Sequence, residues 1–112
     1  MSGAAMLDEA TRELVRRLLA RYRPEQLWLF GSRARGDVGP DSDWDLLLVV
    51  GDDAPAELRR SRPAYEAMIG LEHGADVLVW TRSRFDAEAQ LWASLPRAVV
   101  DEGVLLHDAG SS

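Results

Sequence analysis

The run Leu46-Leu47-Leu48-Val49-Val50 is the longest apolar stretch of the chain, and it follows directly on Asp43-Trp44-Asp45. Gly39-Pro40 precede the segment and Gly51-Asp52-Asp53 follow it, so residues 43–50 read as a β-strand of buried-type aliphatics bounded by turns. The run is far too short to cross a bilayer. Carboxylates written into the start of such a strand need a reason, because burying an unpaired charge is costly.

The flanking sequence supplies the other elements. Leu7, Leu14, Val15, Leu18, Leu19 and Tyr22 recur at helical spacing, which predicts a helix over 6–22 ended by Pro24. The aromatic stretch 27–30 predicts a strand stopped by Gly31. Residues 55–69 read as helical, with Leu58, Tyr65, Met68 and Ile69 as the buried side and Gly70 or Gly74 closing the segment. A third strand is expected over 75–80. Ser83 reads as the N-cap of a helix over 84–93, with a second piece past Pro96 to Glu102. Gly103 suits the left-handed position after that helix, 104–107 a short edge strand, and 108–112 a frayed tail. The order of elements predicts an α/β or α+β domain, a small mixed sheet packed with helices. At 112 residues the chain has the size of one domain, with an ordered core expected over 6–107.

Composition excludes several classes of function. With no cysteine, disulfides and thiolate metal sites are out, and a cytoplasmic location is expected. The N-terminus lacks a basic region followed by an apolar one, so no signal peptide is read. A net charge of −6 opposes direct nucleic-acid binding through the overall field. Arg59, Arg60 and Arg62 read as a solvated helix face.

Strand alternation gives the first chemical clue. Asp43 and Asp45 should point to one face, with Cα atoms roughly 6.5–7 Å apart, while Trp44, Leu46, Leu48 and Val50 take the other. Adjacent carboxylates repel unless a cation bridges them or one is protonated. Hard divalent ions such as Mg²⁺ prefer carboxylate oxygens, completed by water and substrate phosphates. Two metals about 3.5–4 Å apart would suit an Asp-x-Asp pair.

The second clue is Gly31-Ser32. A glycine lets backbone approach a ligand closely, and N–H groups at a helix start form an anion site. Ser32 adds a hydroxyl, and Arg33 and Arg35 add positive charge, although one could pair instead with Asp37 or Asp41. If the strands ending at Phe30 and starting at Asp43 are neighbours, a phosphate cradle meets a metal cage. Asp76 opens the third strand as Asp43 and Asp45 open the second, and is the candidate third carboxylate. A strand-end residue bonded to backbone is the alternative at that position.

Separately these signals are weak; together they are specific. Asp41, Asp43 and Asp45 also mimic the first ligands of an EF-hand, but Leu46 stands where that loop needs glycine.

The string GSRARGDVGPDSDWDLLLVV, residues 31–50, resembles the signature of the DNA-polymerase-beta-like nucleotidyltransferases, and most of all their minimal branch, the MNT domains. The resemblance extends from about Leu7 to His107. It implies a triphosphate-binding role for Gly31 and Ser32, metal ligation by Asp43 and Asp45, and Asp76 as third catalytic carboxylate. It also implies attack of an acceptor hydroxyl on the α-phosphate of a nucleoside triphosphate, supported by two Mg²⁺ ions. Larger members carry further domains for base and acceptor, for which this length leaves no room. Minimal members commonly pair with a small helical HEPN-domain protein, and in several such pairs that protein is a toxin and the minimal member its antitoxin, transferring AMP from ATP to a tyrosine on it. The resemblance therefore implies an antitoxin with a HEPN partner.

Two other readings stay open: a binding protein that neutralises its partner by occlusion alone, and nucleotidyl transfer to a small molecule, with a homo-oligomer supplying the acceptor pocket. His73 and His107 lack the spacing of a metal pair and read as structural or solvated. Trp28, Trp44, Trp80 and Trp92 read as core or interface anchors, and Trp92, near Leu91 and Leu95, could mark a protein contact.

Overall fold

A computed structural model describes residues 7–35 and 44–109, the side chains of Ser32 and Arg35 excepted. The expected 43–50 strand is β2, Asp45–Val50, and its apolar residues are between 0 and 1% exposed. Burial on both faces explains why this strand is an unbroken apolar run instead of an alternating one. Each such side chain contributes about 1.5–3 kcal/mol relative to exposure.

Around β2 lies a four-stranded mixed sheet in the order β3 (Asp76–Thr81), β2, β1 (Gln26–Phe30), β4 (Val104–Asp108). Strand β1 runs antiparallel to β2, and β3 runs parallel to it. Strand β4 forms the expected edge, antiparallel to β1 with an irregularity between Leu27 and Trp28. The mixed α+β architecture matches the sequence expectation.

Helices cover both faces. Leu46, Leu48 and Val50 pack with Leu14, Leu18 and Tyr22 of α1, Glu9–Tyr22, and Ala64 of α3, Arg62–Ala67. Leu47 and Val49 face the other way, against Phe85 of α4, Arg82–Ala89, and Val99 of α5, Leu95–Glu102. Helix α1 starts where the Asp8 carboxylate accepts from the Thr11 N–H at 2.8 Å, and ends at Arg23 in the left-handed region.

Some local expectations are corrected. Residues 55–69 are not one helix but a 3₁₀ turn, Ala56–Arg59, followed by α3. Pro63 explains the break: it lacks an N–H and is accommodated only in a helix's first turn. Met68 is buried, but Tyr65 and Ile69, expected inside, are 46% and 74% exposed. Tyr65 lies against the rim of β3, where its hydroxyl accepts from the Val77 N–H at 3.2 Å.

Ser83 is not the cap of α4. Thr81 holds that position, and the Ser83 N–H donates to the Asp52 carboxylate at 2.9 Å. The side-chain cap of the C-terminal pair belongs to Ser94, which accepts from Arg97 N–H at the start of α5. Gly103 is extended, with φ −80° and ψ 171°, and not left-handed. Its lack of a side chain is required by crowding: an added Cβ would lie 2.9 Å from the Leu29 carbonyl oxygen. Trp92, read as an anchor, is 94% exposed and contributes nothing to the core. Arg59, Arg60 and Arg62 are solvent-exposed as expected. Residues 110–112 of the expected tail lie outside the described residues, and among those described no helix is long and apolar enough to cross a membrane.

Candidate active site

The parallel β2–β3 ladder sets the geometry. Asp45 and Asp76 are register partners at its start, so both carboxylates project from the same face, the one that also carries Leu47 and Val49. Trp44 points to the opposite face with Leu46 and Leu48, as strand alternation requires. Across β1–β2 the partner of Asp45 is Phe30, the residue before Gly31.

Gly31 therefore meets Asp45 directly. Its φ is +78°, a conformation that L side chains rarely adopt, and a Cβ there would collide with the Asp45 carboxylate. After it the chain turns into the one-turn helix α2, Ser32–Arg35, where the Ala34 N–H donates to the Gly31 carbonyl at 3.1 Å. The strand ending at Phe30 and the strand starting at Asp45 are neighbours, which brings the expected phosphate turn beside a carboxylate.

Asp76 is exposed, and its N–H donates to the Trp44 carbonyl at 2.9 Å. It borders a pocket of about 310 Å³ lined by His73, Gly74 and Ala75. A second concavity, about 190 Å³, lies beside Gly31 and is lined by Phe30, Leu95, Ala98, Val99 and Glu102.

Arg33 is carried toward Trp44: its guanidinium carbon lies 4.2 Å from the indole centroid. Trp44 is also stacked on His73, with ring centroids 6.2 Å apart and planes 13° from parallel. His73 Nε2 is 3.1 Å from the buried Thr11 hydroxyl and 3.9 Å from the Asp8 carboxylate. The Asp8 carboxyl is held below its ordinary value, first by hydrogen bonds from Thr11 and then by the nearby His73 and Arg33 charges.

Among the sequence-predicted residues, then, Gly31, Asp45 and Asp76 come together. Asp43 lies outside the described residues, as do the side chains of Ser32 and Arg35. Among the described residues no group of three or more His, Asp or Glu side chains is gathered. The donor chemistry nonetheless fits a hard divalent cation, since Asp45 and Asp76 offer carboxylate oxygens on one face and Gly31, lacking a side chain, leaves room for the Asp45 carboxylate. His73 borders the site, and no local sequence signal marked it: it lies 29 residues from Trp44 in the chain.

Comparison with known proteins agrees with this fold. Residues 11–106 match the nucleotidyltransferase domain family. No curated relative matches the chain by sequence. A Sulfolobus solfataricus structure assigned as a nucleotidyltransferase superposes with a TM-score of 0.61 at 21% identity, over 93% of this chain and 82% of that one. A toxin–antitoxin structure with AMP-PNP superposes with a TM-score of 0.55 at 23% identity, over 90% of this chain and 74% of that one. At these identities the two structures speak for the fold. The family match spans most of the chain, and with the fold it bears out the resemblance carried by residues 31–50: the chain belongs to the nucleotidyltransferase domain family.

Proposed function

We propose that this chain transfers a nucleoside monophosphate, AMP from ATP, onto an acceptor hydroxyl. The acceptor in this reading is a tyrosine of a HEPN-type toxin, for which the chain is the antitoxin. The observation that carries the reading is the Asp45–Asp76 pair on one sheet face beside the left-handed Gly31. The similarity to a toxin–antitoxin structure with AMP-PNP supports both the nucleotide and the partner.

The residues divide the work. Gly31 and Ser32 receive the triphosphate, with Arg35 adding positive charge to the same turn and Arg33 carried against Trp44. Asp43, Asp45 and Asp76 would hold two Mg²⁺ ions, which when bound supply charge neutralisation on the triphosphate. Asp76 borders a pocket open to an acceptor and takes the proton of the attacking hydroxyl. The acceptor oxygen bonds to the α-phosphorus, the bond to the β-phosphate oxygen breaks, and pyrophosphate leaves.

The test mixes the chain with the product of its neighbouring gene, Mg²⁺ and ATP labelled at the α-phosphate. Label on the partner with wild type, and none with Asp43→Ala plus Asp45→Ala, supports the reading; unlabelled partner, or label with the double variant, contradicts it. Neutralisation by occlusion is a second reading, favoured by the exposed Trp92 and by Leu91, which is 56% exposed. It requires the double variant to neutralise the partner as well as wild type does.

A further inference from the structure

Trp44 contacts Arg33, His73 and the Asp76 backbone without being open to a substrate. It is 7% exposed, so it acts through its neighbours. Its ring holds Arg33, two residues past Gly31. Its carbonyl accepts the Asp76 N–H, and it is itself the residue before Asp45. Its other stacking partner, His73, stands three residues before Asp76 and is tied to α1 through Thr11. His73 Nδ1 lies 3.1 Å from the Gly74 carbonyl and Nε2 3.1 Å from the Thr11 hydroxyl, so the ring is held at both nitrogens.

The geometry points to Trp44 as the positioning residue of the site, one that locks the Gly31 turn and the start of β2 in a single arrangement through its stacks on Arg33 and His73. This rests on the nucleotidyl-transfer reading and deepens it. A planar guanidinium over an indole face is a defined contact, so α2 is held against β2 by something more directional than apolar packing. Strand alternation then converts a fixed Trp44 ring into a fixed Asp45 carboxylate on the opposite face. Arg33 accordingly acts on the triphosphate through Trp44, by keeping the turn in place.

A core tryptophan that only packs would give a different outcome, and binding separates the two. The probe is AMP-PNP with Mg²⁺, titrated calorimetrically into wild type, Trp44→Leu, Trp44→Phe, Arg33→Met and the Arg33→Met/Trp44→Leu double variant, each verified as folded by circular dichroism. Trp44→Leu is expected to weaken binding by about 10-fold, the range found when supports of a metal site are removed. Trp44→Phe keeps an aromatic face and should restore binding to within about threefold of wild type. The double variant should bind no more weakly than the weaker single variant, because both remove the same contact. Should Trp44→Leu not fold, His73→Ala carries the same test from the other end of the stack, again with weaker binding expected.

Wild-type affinity in a folded Trp44→Leu or His73→Ala overturns the proposal, as do losses that add in the double variant, which would mean that Arg33 meets the phosphates directly. No binding by wild type itself overturns the nucleotidyl-transfer reading, and this proposal with it. Binding by wild type that Trp44→Leu leaves unchanged overturns this proposal alone.

Discussion

Asp45 and Asp76 face each other across a parallel ladder, each the register partner of the other, with their carboxylates on one side of the sheet. Like charges brought together on neighbouring strands are destabilising. A fold keeps such a pair where the charge has a use. Asp76→Asn is therefore expected to leave the fold as stable as wild type, or more stable by a few tenths of a kcal/mol, while lowering transfer by about 100-fold or more. Thermal unfolding alongside the labelled-ATP assay checks both halves; a fall in stability equal to the fall in activity would oppose the assignment.

Gly31→Ala should damage stability and site together. The left-handed conformation costs a non-glycine residue about 1–2 kcal/mol, and the new methyl group must also displace the Asp45 carboxylate. The expected result is a lower unfolding midpoint and loss of transfer even at temperatures where the variant is folded. Gly70, also left-handed at φ +87° but with open space around it, is the control: Gly70→Ala should lower the midpoint and leave transfer intact.

Tyr22 joins α1 to the segment before β3. Its hydroxyl donates to the Arg60 carbonyl at 2.6 Å and accepts from the Ala64 N–H at 2.9 Å, in a buried setting. Burial raises its pKa above the ordinary 10.0. The stability this reflects is present below 10.0 and is lost as pH rises through the raised folded value. Tyr22→Phe is expected to cost on the order of 1 kcal/mol at neutral pH in urea unfolding. Its stability should also fall less steeply than wild type at alkaline pH.

Asp8 titrates at the other end of the range. Thr11 hydrogen bonds hold its carboxyl below the ordinary 3.8. A depressed carboxylate gives stability that is present above the unfolded value and lost as pH falls through the folded one. Asp8→Ala should cost about 1 kcal/mol at neutral pH through the lost cap. Asp8→Asn keeps a capping oxygen, so its deficit should be smaller, and the gap to wild type should close as pH falls below 3.8. Chemical unfolding at both pH values measures it.

The parts of the site legible in the sequence were those governed by strand alternation. Leu46–Val50 announced a central strand, and Trp44 duly lies on the face opposite Asp45. Asp76 was legible only as an aspartate opening a strand; its pairing with Asp45 depends on which strand lies beside β2, which the local sequence does not state. Helical spacing misread Tyr65 and Ile69 because spacing does not say which apolar side of a short segment meets the core; Pro63 was the available sign of a break. Ser94 followed by Pro96 likewise marked the start of α5. The stack of Trp44 on Arg33 and His73 is tertiary, formed from segments far apart in the chain, and no local pattern carries it.

The most direct measurement is the intact mass of the candidate toxin after incubation with this chain, ATP and Mg²⁺. The expected result is a mass gain of one AMP group on a tyrosine, lost on replacing either Asp45 or Asp76 with asparagine. An unmodified partner, or a partner modified equally by wild type and by both asparagine variants, would contradict the central claim.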